Sequence, residues 1–558
     1  MSDDNIQEKF LSSDFSVYNK EDILKEVVKT GLDFYSGILR NGKTIQYKSF
    51  KELIYEFGES LPQNGISNTE LIQQFRKIGA FSIAQSDPRY IGFPDSGNSF
   101  AAVSAAVYEP FLNQNLITFC MGSPVGTIIE MQVLEWLREI VGYDTKQLQE
   151  YTVLSDIGGM WTTGGVMSNT IAMLTALQHT FKDMRKEGIA KVIQKTRRIP
   201  VVIQAGDIAH YSHTQAAQNL GLGEDNVILT KTSENYTSNK QSIQEALNNL
   251  GSDQIPFMVI GVAGNCRTTS IDDLVSISNI CREKNLWFHV DACHGGCLLF
   301  SDKYKKLVEG IELSDSVSLD PHKGLFVPYP QSYVLFRNRS VLKSTFARYP
   351  ENISIHEYPD LGQFLPFFGS KGMHSLRMWS LIKSLGMKGI GTIIDERQKC
   401  AQFLGMLIKN SKYFLSFNDV NLYRQAFIYL PQRSKKCINQ SSDLLDTTTK
   451  TGLKQIIDKY TNKICQELYK NGDVVFDSFK LVDLKAEAGL GFQKYTVLSW
   501  AIGNPFVSKD SLNKYFYYAE QIAKKYDDQI LEEIIQALNK SIKKTVAVDN
   551  CGGPAGWS

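Results

Sequence analysis

Nowhere does the chain string together about eighteen apolar residues, so the sequence predicts no transmembrane helix. Nor is charge of one sign in excess: 60 lysines and arginines stand against 59 aspartates and glutamates, and no basic stripe runs along the chain. That balance argues against nucleic acid or an anionic membrane as the main partner. The cysteines, 9 in number and irregularly spaced, make no disulfide framework for 558 residues. The opening residues, MSDDNIQEKF, hold no apolar core of a signal peptide, and a reducing cytoplasm is the simplest expectation. No GxGxxG opens a strand–helix unit, which argues against a nicotinamide dinucleotide site.

What remains is globular in composition, 43% apolar and 21% charged, and long enough for two or three folding units. Five short apolar runs read as buried strands: IPVVIQA (199–205), PFMVIGVAG (256–264), NLWFHVDA (285–292), SDSVSL (314–319) and SYVLFR (332–337). Helical patterns separate them. In SIDDLVSISNICREKN (270–285), Ser270 is placed to cap the helix and Asp272 and Asp273 to occupy its first turn. Alternating strands and helices predict an α/β domain on a mainly parallel sheet with helices on both faces. Helical patterns precede it over residues 1–107, and the polar stretch GFPDSGNS spans 92–99. SLRMWSLIKSLGMKGIGTIIDERQKCAQFLGMLIKN (375–410) reads as helix, glycine break, helix. Strand KYTVLSWAIGNPF (494–506) followed by helix SLNKYFYYAEQIAKKY (511–526) suits a smaller α+β C-terminal domain. NQSSDLLDTTTKTG (439–452) reads as a solvated loop. The expected division is therefore 1–107, 108–380 and 381–558.

An open parallel sheet binds ligands where its strand ends meet loops. The polar residues that follow the strands are His210, Ser212 and His213, then Asp291 and His294, then Asp320, His322 and Lys323. Upstream, Gly164-Gly165 opens directly into a helix and offers backbone N–H groups to an anion, although no Gly-Lys-Ser/Thr follows as in a nucleotide-phosphate loop. Each feature has an ordinary alternative. Gly-Gly is a turn, Asp291 a strand-end cap, Lys323 a loop charge. Cys293, His294 and Cys297 match no familiar zinc spacing. The set is what carries weight. A phosphate cradle, a carboxylate, a histidine and a lysine on one sheet edge are what pyridoxal 5'-phosphate requires. A lysine just after a buried strand is also expected to have its pKa depressed by desolvation.

These residues resemble the group II pyridoxal-phosphate-dependent amino-acid decarboxylases, which include aromatic amino-acid, glutamate and cysteine-sulfinate decarboxylases. HVDACHGG is similar to that family's His-Val-Asp-Ala-Ala block and DPHKG to its Asn/Asp-Pro-His-Lys block, with Asp291 and Lys323 32 positions apart (323 − 291). AHYSH and VAGNCRTTSIDDL resemble two further blocks, and the likeness runs from DPRYIGF (87–93) to SLRMWSLIKSLG (375–386).

The resemblance implies a type I, aspartate-aminotransferase-like fold. It also implies a homodimer with the site at the subunit boundary and the N-terminal segment packed on the partner. In the site, Lys323 would hold the cofactor covalently, Asp291 would face the pyridine nitrogen and His210 would stack on the ring. Gly165, Val166 and Ser168 would line the phosphate cradle, with Asp320, His322, Asn265 and Cys293 around it. Tyr349 would return a proton to the α-carbon, with Tyr358 as second choice. Lys371, His374 and Arg377 are the cations at hand for a carboxylate. The expected reaction is decarboxylation of an L-amino acid, with an aromatic one preferred. Acidic amino acids, aldehyde synthesis, a carbon–carbon lyase acting on a long-chain amine phosphate and a non-enzymatic binding role stand as alternatives.

Overall fold

The computed structural model describes residues 20–204, 206, 210–347, 360–364, 367, 369–442 and 445–549. Its larger sheet has seven strands: β1 (Gly159–Thr162), β2 (Ile199–Gln204), β3 (Val227–Leu229), β4 (Gln254–Val262), β5 (Trp287–Asp291), β6 (Ser316–Leu319) and β7 (Ser332–Phe336). Their spatial order is β1-β7-β6-β5-β4-β2-β3. The run from β6 through β5, β4 and β2 to β3 is parallel. β7 runs antiparallel to both β6 and β1. The five apolar runs of the sequence become β2, β4, β5, β6 and β7. Every residue of β5, β6 and β7 is buried, as covering both faces of a sheet requires.

The crossover helices follow their sequence patterns with one displaced start. The helix expected from Ser270 runs Leu274–Lys284 and is capped by Asp273, whose carboxylate accepts from the Ser276 N–H. Asp272, expected in the first turn, instead accepts from Ser238 N–H at 2.6 Å and Val262 N–H at 2.8 Å. It ties the end of β4 to a loop and is not available to the helix. Gly261 lets this helix approach closely, because a Cβ there would sit 3.1 Å from Leu274 and 3.2 Å from Phe288.

A smaller antiparallel sheet follows, with β8 (Phe414–Ser416), β9 (Arg424–Tyr429), β10 (Asp477–Val482) and β11 (Lys494–Ala501) in the order β10-β11-β9-β8. Helices Thr447–Asn471, Lys509–Lys524 and Asp527–Asp549 accompany it. Half of the stretch read as a solvated loop is therefore helix, started by Asp446, whose side chain accepts from Thr449 N–H. Helix Ser375–Lys409 links the two parts and bends at Gly386, where φ is 59° and ψ 177°, a conformation that glycine adopts without strain. The N-terminal region is stitched to the smaller sheet by Ile91 N–H to Val475 O and Ala501 N–H to Ile91 O.

Arg138 secures the far edge of the large sheet. Its fully buried guanidinium donates to the carbonyls of Asp144, Gly158, Phe336 and Arg337, joining helix Pro124–Val141 to the start of β1 and the end of β7. Burial and the neighbouring Arg339 charge pull its pKa down to about 10. Arg138→Leu takes a buried donor from those carbonyls, of which Asp144 O keeps Arg339 and Gly158 O keeps the Phe336 N–H, and is expected to cost on the order of 3 kcal/mol, read as a lowered thermal midpoint. An unchanged midpoint would show that the carbonyls find other donors.

Candidate active site

The C-terminal ends of β2, β4, β5 and β6 open onto one cavity of about 250 Å³. It is lined by His210, Asn265, Asp291, Cys293, Asp320, His322 and Lys323, together with Gly165 and Val166. These residues lie far apart in the chain and meet only because the parallel strands end at one level. Tyr349 and Tyr358 fall outside the described residues.

The floor is electrostatic. Asp291, the last residue of β5, accepts three hydrogen bonds: at Oδ2 from His213 Nε2 and Asn169 Nδ2, both 3.0 Å, and at Oδ1 from Cys293 N–H, 3.1 Å. Burial pushes its pKa up, but His213, Lys323 and the Cys293 N–H outweigh that and hold it well below the usual carboxylate range. Asp320 accepts from Ser332 Oγ at 2.5 Å and lies 2.8 Å from Lys323 Nζ. The lysine therefore departs from expectation. Burial alone lowers its pKa, yet Asp320, with Asp291 beyond it, raises the group well above the ordinary lysine range. The strand-end carboxylates win over desolvation.

The histidines divide by contact. His210 Nδ1 accepts from Ser212 N–H at 3.1 Å, and burial lowers its pKa to about 4. His322 Nδ1 donates to Gln331 O at 2.6 Å, and its ring rests 4.4 Å from that of Tyr329. Tyr329 O–H donates in turn to Asp95, part of the GFPDSGNS stretch.

Helix Gly165–Thr180 points its N-terminus into the cavity, and its first intrahelical bond is Ser168 N–H to Gly164 O. The N–H groups ahead of that bond are the natural anion donors. Gly165 is required by space, since a Cβ there would stand 2.9 Å from Cys293 Sγ and 3.2 Å from Asp320 Oδ2. Ser168 does not face the cradle: its hydroxyl is fully buried 2.6 Å from Thr162 Oγ1. Asn265 reaches the cavity wall but spends its side chain on its own loop, bonding Thr268 and Tyr236 O.

The three cations proposed for a carboxylate are already taken. Lys371 bonds Glu130, while His374 and Arg377 both engage Glu109. Arg377 also donates to Tyr329 O at 2.6 Å. Sequence reading gave no role to Asn169, His213 or His289, which surround Asp291. His213 was visible only as a polar residue after a strand, and no local pattern marks contacts made across 78 to 122 positions.

This donor set fits pyridoxal phosphate: a glycine-opened helix N-terminus for the phosphate, an ionised carboxylate at the floor and an amine at the wall. Residues 51–429 match the model of the pyridoxal-dependent decarboxylase conserved domain. The chain is 26% identical to aspartate 1-decarboxylase of Aliivibrio fischeri over 79% of this chain and 80% of that one. It is 25% identical to the aromatic-L-amino-acid decarboxylase of Bacillus atrophaeus over 71% and 78%. In fold it resembles the crystal structure of mouse CSAD in apo form, with a TM-score of 0.79 and 22% identity over 91% of this chain and 99% of that one. With a family match across more than half its length, on a sheet that gathers the residues this cofactor needs, the chain belongs to the pyridoxal-dependent decarboxylases.

Proposed function

We propose that this carboxy-lyase acts on an amino acid with an uncharged, aromatic side chain. One observation carries the choice: among the described residues lining the cavity, Lys323 is the only lysine or arginine. Lys371 is paired with Glu130, His374 and Arg377 share Glu109, and Asp95, its pKa raised by burial, lies within electrostatic reach of Lys323. A second carboxylate on the substrate would meet more negative than positive charge there. The named activity of the Aliivibrio relative favours a different reading, an acidic substrate, and a substrate panel separates the two.

Bound in this cavity, pyridoxal phosphate supplies a conjugated ring that takes up the electron pair left as carbon dioxide departs. The protein's part is to hold and to charge. Lys323 is the amine that anchors the aldehyde carbon, kept in place by Asp320. Asp291, ionised by its three donors, faces the ring nitrogen and keeps a proton on it. His210, neutral and oriented by the Ser212 N–H, presents a flat ring to stack on. The N-terminal turn at Gly165 and Val166 takes the phosphate.

The exposed apolar faces of the N-terminal helices support a second copy of the chain as their cover. Tyr55, Phe100 and Met121 are 88%, 81% and 91% exposed. Large apolar side chains left this exposed are what a subunit interface would cover. A cytoplasmic setting suits the thiols of Cys281, Cys293, Cys297 and Cys400, and no helix among the described residues is long and apolar enough to cross a membrane.

Three outcomes are expected. Carbon dioxide release is at least about tenfold faster, as kcat/KM, with tryptophan or tyrosine than with aspartate or cysteine sulfinate, a margin of about 1.4 kcal/mol; the reverse order establishes the acidic reading. Lys323→Ala loses both turnover and the visible absorbance of the bound cofactor.

Light scattering gives a dimer for the wild type and a weakened one for Phe100→Glu combined with Met121→Lys. A fully active monomer would refute the shared interface.

Acid also destabilises the fold in a defined window. Burial holds His210 near a pKa of about 4 and His289 near about 3. The unfolded chain binds these protons from about pH 6.5 downward while the native state does not. Stability is therefore lost as pH falls below about 6.5, and the loss continues to about 4 for His210 and about 3 for His289. Thermal midpoints measured across that window should fall, and a flat profile would contradict neutral buried imidazoles.

A further inference from the structure

His213 lies in the first turn of helix Ser212–Asn219, fully buried, three residues beyond His210. Its Nε2 donates to Asp291 Oδ2 at 3.0 Å, and its Nδ1 faces Gln204 Oε1 at 3.1 Å, at the end of β2. The same Asp291 oxygen accepts from Asn169, whose own Oδ1 takes Ser318 Oγ at 2.7 Å and His289 Nε2 at 3.0 Å. Buried polar groups thus run without a gap from β2 through Asp291 to β5 and β6. A buried carboxylate can stay ionised only with such partners, and losing one leaves a charge or acceptor uncompensated.

We propose that His213 is a positioning residue for the cofactor's ring nitrogen, acting through Asp291. This rests on the reading of Asp291 as the carboxylate that faces that nitrogen. The imidazole does not reach the substrate. It fixes the Asp291 rotamer, bracing the carboxylate against Gln204 at the end of β2, two strands away in the sheet, and shares its negative charge. Of Asp291's three donors, Cys293 N–H belongs to the following turn and Asn169 is neutral. His213 is the one donor whose removal both frees a side of the carboxylate and strips a titratable partner from it.

Other groups in electrostatic reach of Asp291 are His210 after β2, Cys266 after β4, His289 on β5, Cys293 and His294 after β5, and Lys323 after β6. Of these, Cys293 also meets the Asp291 carboxylate through its thiol, which burial and that carboxylate keep protonated. Lys323 is moreover held by Asp320.

The test uses the holoenzyme with His213→Leu, which keeps bulk without a donor, and His213→Gln, which keeps a donor. Three quantities are read: the pyridoxal phosphate dissociation constant of the resolved protein, the pH profile of the bound cofactor's visible absorbance, and kcat against KM. His213→Leu is expected to weaken cofactor binding about tenfold. It should also move the acid limb of the absorbance profile up by about one pH unit and lower kcat more than it raises KM. His213→Gln should recover most of each.

If His213→Leu does not fold, His213→Phe, a flat ring without a donor, replaces it with the same expectations. A folded donorless variant with the wild-type acid limb and affinity would overturn the proposal. So would a Gln variant as impaired as Leu, which would mean that the ring matters only as packing. A wild type that binds no pyridoxal phosphate would instead refute the assignment of Asp291, a different failure.

Discussion

An ionised carboxylate at the buried end of a central strand imposes strict demands on its surroundings. Asp291 sits where water cannot solvate it, and an unpaired charge there costs several kcal/mol. Its three donors come from a helix that starts after β2, a helix that starts after β1, and its own following turn. Those elements must therefore be placed to within a hydrogen-bond length of one another. The close helix approaches, the strand register and the glycine at 165 are all consistent with serving that placement.

The same economy governs the rest of the cavity. Asp320 and Lys323 neutralise each other across 2.8 Å, so the site keeps a charged amine despite its burial. His210 and His289 resolve the conflict differently, remaining neutral as burial lowers their pKa values and each using a ring nitrogen on a fixed partner. Glu109 and Glu130 absorb the cations of the 371–377 segment. What is left facing the cavity is a set of groups suited to a cofactor with a phosphate and a ring, and poorly suited to a second substrate carboxylate.

Much of this was legible from the residues alone. Continuous apolar runs marked β2, β4, β5, β6 and β7, because strands buried on both faces need no polar alternation. Asp291, Asp320, His322 and Lys323 were recognisable as polar residues at strand ends, and the Gly164-Gly165 turn as a helix start. Where the sequence misled, a competing contact explains it. Ser168 reads as a phosphate ligand, but its turn faces the sheet and Thr162 takes its hydroxyl. Asp273 took the cap that Ser270 could have supplied, since Asp272 beside it was drawn to Val262 N–H. Lys323 looked like an amine with a depressed pKa until its distance to Asp320 was known.

The sequence by itself determined the strands β2, β4, β5, β6 and β7 with the helices between them, that the sheet is mainly parallel, and which residues lie at its ligand-binding edge. These follow from local periodicity and from turn chemistry, which act over a few residues. Only the tertiary structure decided the long-range electrostatics: that His213 and Asn169 hold Asp291, and that Lys371, His374 and Arg377 are paired with Glu130 and Glu109. Charges interact through space and not along the chain, so partners 78 to 268 positions apart leave no mark in either neighbourhood.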